Sequence, residues 1–421
     1  MKAIVVGGGI GGLTTALMLK DRGLEAEVYE QSSEIRELGV GINTLPHAIK
    51  ELKKLGLLAR LDEVGLRTYE LIYTNRFGQE IWREPRGIEA GFDVPQFSIH
   101  RGRLQTVVHE AVKQRLGAGA IHTGCRLGAY SQDEGGVTAW FFDREGRHVK
   151  TARGDVLIGA DGIHSFVRAS LFPHEGPPSW NGILLWRGAS EWPAFLTGRS
   201  MIVAGGMREK LVVYPIAEGY RPGLKLMNWA VAVKLGDGSS PPPRKEDWSR
   251  PGKREELMPH VARFRIPQLN VPALIEATPE FYEYPMCDRD PLPAWTHGRV
   301  TLLGDAAHPM YPVGSNGASQ AILDARCLAD RLAGAEHPMA ALRAYEAERL
   351  PKTAEIVRSN RRGGPEGVID AVEALAPDGF DDIDAVLSHA EREAIVKGYA
   401  QKAGFAREQA EGQAKGQARA A

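Results

Sequence analysis

No stretch of this 421-residue chain approaches the roughly 20 apolar residues that a membrane span requires. The first apolar run, Ala3 to Val6, passes straight into glycines and is too short for a signal peptide, so a cytoplasmic protein is expected. Cysteine is scarce. Cys125, Cys287 and Cys327 lie far apart with no C-x-x-C spacing, which argues against a disulfide framework and for small buried thiols in a reducing compartment. No His/Cys/Asp/Glu cluster has metal-ligand spacing, so no metal is expected. Charge nearly cancels, with 52 Lys and Arg against 53 Asp and Glu, and no global field draws the chain to nucleic acid or an anionic membrane. Internal repeats are missing too, apart from a strand-glycine-acid theme.

Hydrophobic residues make up 43% and charged residues 25%, an ordinary globular balance with core enough for two or three domains. The opening KAIVVGGGIGGLTTALMLKDRGLEAEVYEQ predicts a buried parallel strand over Ala3 to Val6 and a helix over Leu13 to Arg22, closed by Gly23. A second strand follows from Glu25 to Tyr29. Between strand and helix, Gly7, Gly9 and Gly12 form G-x-G-x-x-G. One glycine makes the tight turn, one lets the backbone approach a pyrophosphate, and one lets helix and strand pack closely. The helix N-terminus offers free N–H groups and a positive dipole end to phosphates. Glu30, eighteen residues after Gly12, is placed to accept from ribose hydroxyls. Strand, glycines, helix and acid together point to an ADP-containing dinucleotide.

Further along, Arg36 lies just after the second strand, where a guanidinium can hold phosphate oxygens bidentately or simply face water. Tyr69 to Trp82 reads as a hairpin around Phe77-Gly78. From Ser98 the periodicity predicts a helix with Arg101 at its start; a cation there opposes the helix dipole, which implies an anion beside it. Ile121 to Tyr130 and Val137 to Phe142 read as a strand pair. DVLIGADGIHSFVR then repeats the strand-glycine turn with Asp161 inside it, and Arg168 could reach Asp161 only if the turn folds back. From Pro173 to about Pro285, prolines, tryptophans and runs such as ILLWRGA and KLVVYPI predict an antiparallel sheet. Its aromatics are either core or a face for a planar ligand. GRVTLLGDAAHPMYPVGSNGASQAILDARCLADRL supplies the third theme: a strand over Val300 to Leu303, Gly304-Asp305 at its carboxyl end, a proline- and glycine-rich loop, and a helix. Ala340 to Arg362 reads as helical, and Ala403 to Ala421 as a frayed or disordered tail.

GGGIGG with Glu30, GADGIHSFVR and GDAAHPMYPVGSNGASQA resemble, in order and separation, the three fingerprints of group A FAD-dependent aromatic hydroxylases. That family includes p-hydroxybenzoate, salicylate and 3-hydroxybenzoate hydroxylases. ELGVGIN, EPRGIEAG and PQFSIHRGRLQ are similar to its phenazine-modifying members. The resemblance implies an α/β (α+β overall) fold. A Rossmann-like FAD-binding domain is expected from residues 1–68, 98–172 and 286–362. A mostly antiparallel β-sheet substrate domain is inserted at 69–97 and 173–285, and a C-terminal helical segment and tail occupies 363–421. It further implies that Gly7, Gly9, Ile10, Gly11 and Gly12 cradle the FAD pyrophosphate and that Glu30 takes the adenosine ribose. Arg36, Val40, Gly41 and Arg101 would line the phosphates and ribityl chain, and the Leu127 backbone would meet the adenine. Asp161 would serve FAD and NAD(P)H, Asp305 would take the ribityl hydroxyls, and Gly314, Asn316, Gly317 and Ala318 would lie beside the isoalloxazine.

The activity implied is that of a single-component monooxygenase. FAD, bound non-covalently, is reduced by NADH or NADPH as a transient co-substrate. O2 then adds at flavin C4a, and a small planar aromatic substrate is hydroxylated, with the protein a monomer or homodimer. Pro312 and Gly314 would wall C4a from water. His308 belongs to the motif and is read as structural. No base for ionising a phenol can be assigned. Tyr214, Tyr73 and Tyr284 are either catalytic or packing, and Arg187 either meets a substrate carboxylate or sits at a sheet edge. Alternatives on the same scaffold are a reductase or oxidase, a Baeyer–Villiger enzyme, or a binding protein without chemistry. A halogenase would carry W-x-W-x-I-P, which is missing.

Overall fold

The computed structural model describes residues 1–35, 40–242 and 250–406. Arg36 and Trp248 lie outside the described residues, as does the tail from 407. The architecture is α/β with added antiparallel sheets. A five-stranded sheet runs in the order Val300–Leu302, Val156–Gly159, Lys2–Val6, Glu25–Tyr29, Ile121–His122, every neighbour parallel. These strands are short and apolar because helices sandwich them. Leu13 and Leu17 of helix Ile10–Asp21, Leu104 and Val108 of helix Arg101–Leu116, and Ile322 and Leu328 of helix Gly317–Ala333 share one core with Ile4, Val5 and Leu157.

Two departures from the sequence reading concern strands. The helix expected from Ser98 begins at Arg101, because Phe97–His100 is a strand paired with Gly41–Thr44 and Gly65–Arg67. The strand pair after His122 gains a third member, His148–Gly154, which is largely polar and exposed and so carries little apolar signal.

The second large sheet has seven strands: Phe281–Asp288, Ser179–Pro193, Leu224–Lys234, Glu209–Glu218, Ser200–Ala204, Glu70–Thr74 and Glu80–Pro85. All neighbours are antiparallel except Ser200–Ala204 with Glu70–Thr74. Helices Arg254–Val261 and Val271–Glu276 cover one face, over Trp186, Trp229, Val213 and Val231. The fully buried tryptophans Trp186 and Trp229 are therefore core and face away from any ligand on the other side. On that other side, helices Gly367–Leu375 and His389–Ala403 pack over Leu71, Met201 and Ile216. Ala403, which the sequence placed in a frayed tail, is buried beside Tyr399, with Phe405 packed against them. No described helix is long and apolar enough to cross a membrane.

Candidate functional site

The three strand-glycine turns meet at the carboxyl ends of the parallel strands. Gly7 has φ +110°, and a Cβ there would lie 2.3 Å from the Ala160 carbonyl oxygen of the second turn. At Gly12 a Cβ would come 2.0 Å from the Gly7 carbonyl oxygen, so helix and strand meet without room for a side chain. Gly11 packs its α-carbon toward Leu303 and Ala321. Gly9 differs: among the described residues nothing lies within 4 Å of its would-be Cβ, and that side of it is open. Gly9 caps helix Ile10–Asp21 without any side-chain hydrogen bond, which leaves the first N–H groups of that helix facing the opening.

Glu30, at the end of the second strand, accepts from the Gly8 and Ser32 amides at 2.7 and 2.8 Å. Asp161 accepts from the Phe166 amide (2.7 Å), the Val167 amide (3.2 Å) and the Ser165 hydroxyl, and so caps the short helix Phe166–Leu171. Arg168 does not turn back to it. That guanidinium is 1% exposed, pairs with Glu175, and donates to the Ala306 and Ala307 carbonyls at 3.1 and 2.9 Å. It thereby bolts the second glycine turn to the third.

Asp305 follows Gly304, which has φ +62°. Its side chain is uncovered although protein encloses the position, as expected for the wall of an internal cleft. Burial raises its pKa against the lowering charges of His308 and Arg101, and it accepts no hydrogen bond from any described residue. An enclosed carboxylate without donors suits a ligand that brings hydroxyls. Arg101 is exposed at the start of its helix, anchored by its amide to the Val40 carbonyl at 2.9 Å. Gly41 donates to Asn228 Oδ1 at 2.7 Å, joining this rim to the large sheet. Leu127 is buried and opposes Phe141 across its sheet.

Beneath Asp305, His308 Nε2 meets Asp324 at 2.5 Å, Arg349 Nε donates to Asp324 at 2.7 Å, and the Gly304 amide donates to Asp324 at 3.1 Å. All three side chains are buried, which gives His308 a structural place. Beyond it comes the Pro312 loop. Gly314 (φ +66°) and Ser315 (φ +56°) are both left-handed, Pro312 is exposed, and Asn316 is fully buried ahead of Gly317 and Ala318.

The large sheet supplies a chamber. Arg187 opposes Ala230, Ala230 opposes Val212, Val212 opposes Val203, and Val203 opposes Tyr73, so the five share one face. Tyr214 is two residues from Val212, and Tyr284 opposes Leu185, two from Arg187; both join that face. Arg187, Ala189, Ala230, Ala232 and Val212 are only part-covered although their strands are central, while the opposite face is fully buried. A part-covered centre on an otherwise packed sheet is a floor of small residues. Burial, and then the charge of Arg101, pull the Arg187 guanidinium down to about 9. Two cations within reach of one another favour an anion between them. Burial pushes the Tyr214 phenol up, so it is a donor rather than a base near neutral pH. A separate cavity of about 340 Å³, lined by Glu63, Arg103, Glu191 and Tyr220 among others, touches none of these groups.

Sequence reasoning missed Asp324, Arg349 and Asn228. Only Asp324 left a local signal, four residues after Gln320 on one helix face.

A family model described as FAD binding domain matches residues 1–203 and 240–360. The phenazine 1,6-dicarboxylic acid hydroxylase PhzS of Lysobacter antibioticus is 44% identical over 362 residues, covering 85% of this chain and 88% of that one. The 3-hydroxybenzoate 6-hydroxylase 1 of Aquipseudomonas alcaligenes is 31% identical over 364 residues, 85% of this chain and 87% of its own. Among solved structures, Klebsiella pneumoniae HpxO complexed with FAD and uric acid superposes with a TM-score of 0.73 at 25% identity, covering 96% of both chains. The chain belongs to the FAD binding domain family and, within it, to the group A FAD-dependent aromatic hydroxylases, which are monooxygenases.

Proposed function

We propose that this enzyme uses NADH or NADPH and O2 to hydroxylate a planar aromatic carboxylate on the face bearing Arg187. The observation that carries this reading is the part-covered sheet centre, a floor of Ala189, Ala230 and Val212 edged by the Arg187 guanidinium. The relatives' names support it, since they act on a phenazine dicarboxylic acid and on 3-hydroxybenzoate.

The cleft fits FAD. Open space above Gly9, uncapped helix N–H groups and an Asp305 carboxylate without donors suit a pyrophosphate and a polyol. In this reading Gly7, Gly9, Ile10, Gly11 and Gly12 receive the pyrophosphate and Glu30 the adenosine ribose. Val40, Gly41 and Arg101 flank the middle, the Leu127 backbone lies at the adenine, and Asp161 stiffens the turn beside it. Asp305 accepts from the ribityl hydroxyls. Gly314, Asn316, Gly317 and Ala318 line the ring. Bound FAD supplies two-electron reduction by the nicotinamide and activation of O2, one atom entering the substrate and the other leaving as water.

The protein's own groups do the rest. Arg187 fixes the carboxylate and so the ring's orientation. Tyr214 and Tyr284 hydrogen-bond the ring substituent, and Tyr214 holds its proton. Pro312 and the backbone at Gly314 keep water from the reacting face. Cys125, Cys287 and Cys327 form no disulfide, which fits a reducing cytoplasm, and the enzyme would act there as a monomer or homodimer.

The test is anaerobic flavin reduction by NADH and by NADPH, alone and with aromatic acids, phenols and phenazines. An aromatic acid that accelerates reduction many-fold supports the reading. Fast reduction with none of them sinks it in favour of a reductase or oxidase.

A further inference from the structure

The Pro312 loop holds two consecutive left-handed residues, one of them a serine, a conformation that persists only when its surroundings impose it. Its helical turn Val313–Ser315 has no side-chain cap, and neither has the helix that follows. What grips it comes from farther along the chain. Tyr399, on helix His389–Ala403, is 3% exposed and lies against Gly314, where a Cβ would stand 2.6 Å from its ring. The Tyr399 hydroxyl donates to Asn360 Oδ1 at 2.9 Å and accepts from Asn316 Nδ2 at 3.1 Å. Asn360 in turn donates to the Tyr311 carbonyl at 2.9 Å. Glu366 accepts from the Gly314 amide at 3.1 Å and pairs with Lys210, which stands on the same strand as Tyr214. Gln320 closes the ring, donating to Asn316 Oδ1 at 3.2 Å and to the Ala403 carbonyl at 3.1 Å. Glu366 and Tyr399 both lie past residue 360, where the family match ends.

We propose that Tyr399 and Glu366 are positioning residues for the Pro312 loop, and that the C-terminal helix is thereby the back wall of the active site. This rests on the reading that the loop lines the flavin ring. Among the described residues, the side chains that hold Asn316 and the Gly314 amide are Tyr399, Gln320 and Glu366, two of them from the C-terminal segment. Burial pushes the Tyr399 phenol up, so the hydroxyl donates at any working pH.

Tyr399→Phe keeps the ring and removes only the hydroxyl, so the fold survives. Amide hydrogen exchange across Val313 to Asn316, measured in the protein with and without added FAD, should rise about fivefold, the weight of the one neutral hydrogen bond by which the hydroxyl holds Asn316. The fraction of NAD(P)H oxidised to hydrogen peroxide rather than product should rise with it. Unchanged exchange in that segment overturns the proposal whatever the coupling does. Faster exchange with unchanged coupling and an unchanged flavin spectrum also overturns it, and shows that the fault lies in the placing of the loop at the ring.

Discussion

Replacing Asp324 by Asn should both destabilise the protein and loosen FAD, though Asp324 is itself assigned no FAD contact. The carboxylate is wholly buried and answers three donors: His308, Arg349 and the Gly304 amide. Burial alone would raise its pKa, but the charges of His308 and Arg349 outweigh burial and hold it at about 2, below the usual 3.8. Asparagine keeps the shape and removes the charge, which leaves Arg349 buried without its counter-ion. Breaking such a pair costs about 3–5 kcal/mol. For 421 residues the unfolding entropy is about 0.9 kcal/mol per kelvin, so the apoprotein should melt about 3–6 °C lower. Because the Gly304 amide is anchored to the same carboxylate, the Gly304-Asp305 turn should also slacken and the Kd for FAD rise. In acid the gap closes. Between about pH 4 and pH 2 the unfolded chain binds this proton first, so the stabilisation is complete above that window and is lost as pH falls through it. Calorimetry of both apoproteins from neutral pH into acid, with an FAD titration at neutral pH, measures all three effects. If the two proteins melt together and bind FAD alike, the network is ornamental and the reasoning fails.

Gly9→Ala and Gly12→Ala separate ligand space from packing. A Cβ at Gly9 meets none of the described residues, so that variant should fold and melt normally while FAD titration shows weakened binding; a Cβ at Gly12 meets backbone at 2.0 Å, so soluble yield should collapse. Asp305→Ala removes a charged acceptor of about 1.5–3 kcal/mol per bond, so FAD affinity should fall roughly tenfold or more, and flavin content equal to wild type after purification contradicts the assignment. Arg187→Met should raise KM for a carboxylate substrate by well over tenfold, from about 2–5 kcal/mol for a lost buried charge pair, and leave an uncharged analogue nearly unaffected; equal effects on both would place the guanidinium elsewhere.

The parallel sheet was legible because its signals are local. A four-residue apolar run, a glycine turn and an acid at the next strand's end all lie within thirty residues, and the physics tying them together is the turn itself. Phe97–His100 was not legible, since its partner Gly41–Thr44 lies over fifty residues away and its pattern runs on into helical spacing. His148–Gly154 hides for another reason: its one large apolar residue, Val149, is on the exposed face while the inward face carries Lys150, Ala152 and Gly154, so the alternation that betrays a strand is missing. Arg168 shows the same limit at the site. The sequence offered Asp161, seven residues before it, only on condition that the turn folded back; Asp161 instead takes the first amides of the helix, and the guanidinium finds carbonyls nearly 140 residues on.

That displacement changes what the recurring strand-glycine-acid theme means. Read along the chain, the three acids look like equivalent ligand contacts. In the fold they differ by what already satisfies them. Glu30 is held by two amides of its own neighbourhood, Asp161 is spent on a helix N-terminus, and Asp305 alone has no donor among the described residues. An acceptor that already holds two or three donors gains less from a ligand hydroxyl than an enclosed one without donors, which gains the full bond. FAD affinity should therefore rest most heavily on Asp305, less on Glu30 and least on direct contact with Asp161. The conservative amides rank them: the loss of affinity should be greatest in Asp305→Asn, smaller in Glu30→Gln, and in Asp161→Asn should follow the melting of helix Phe166–Leu171 rather than binding itself. A reversed order would mean that the acids act through the charge they place near the cleft and not through the bonds still open to them.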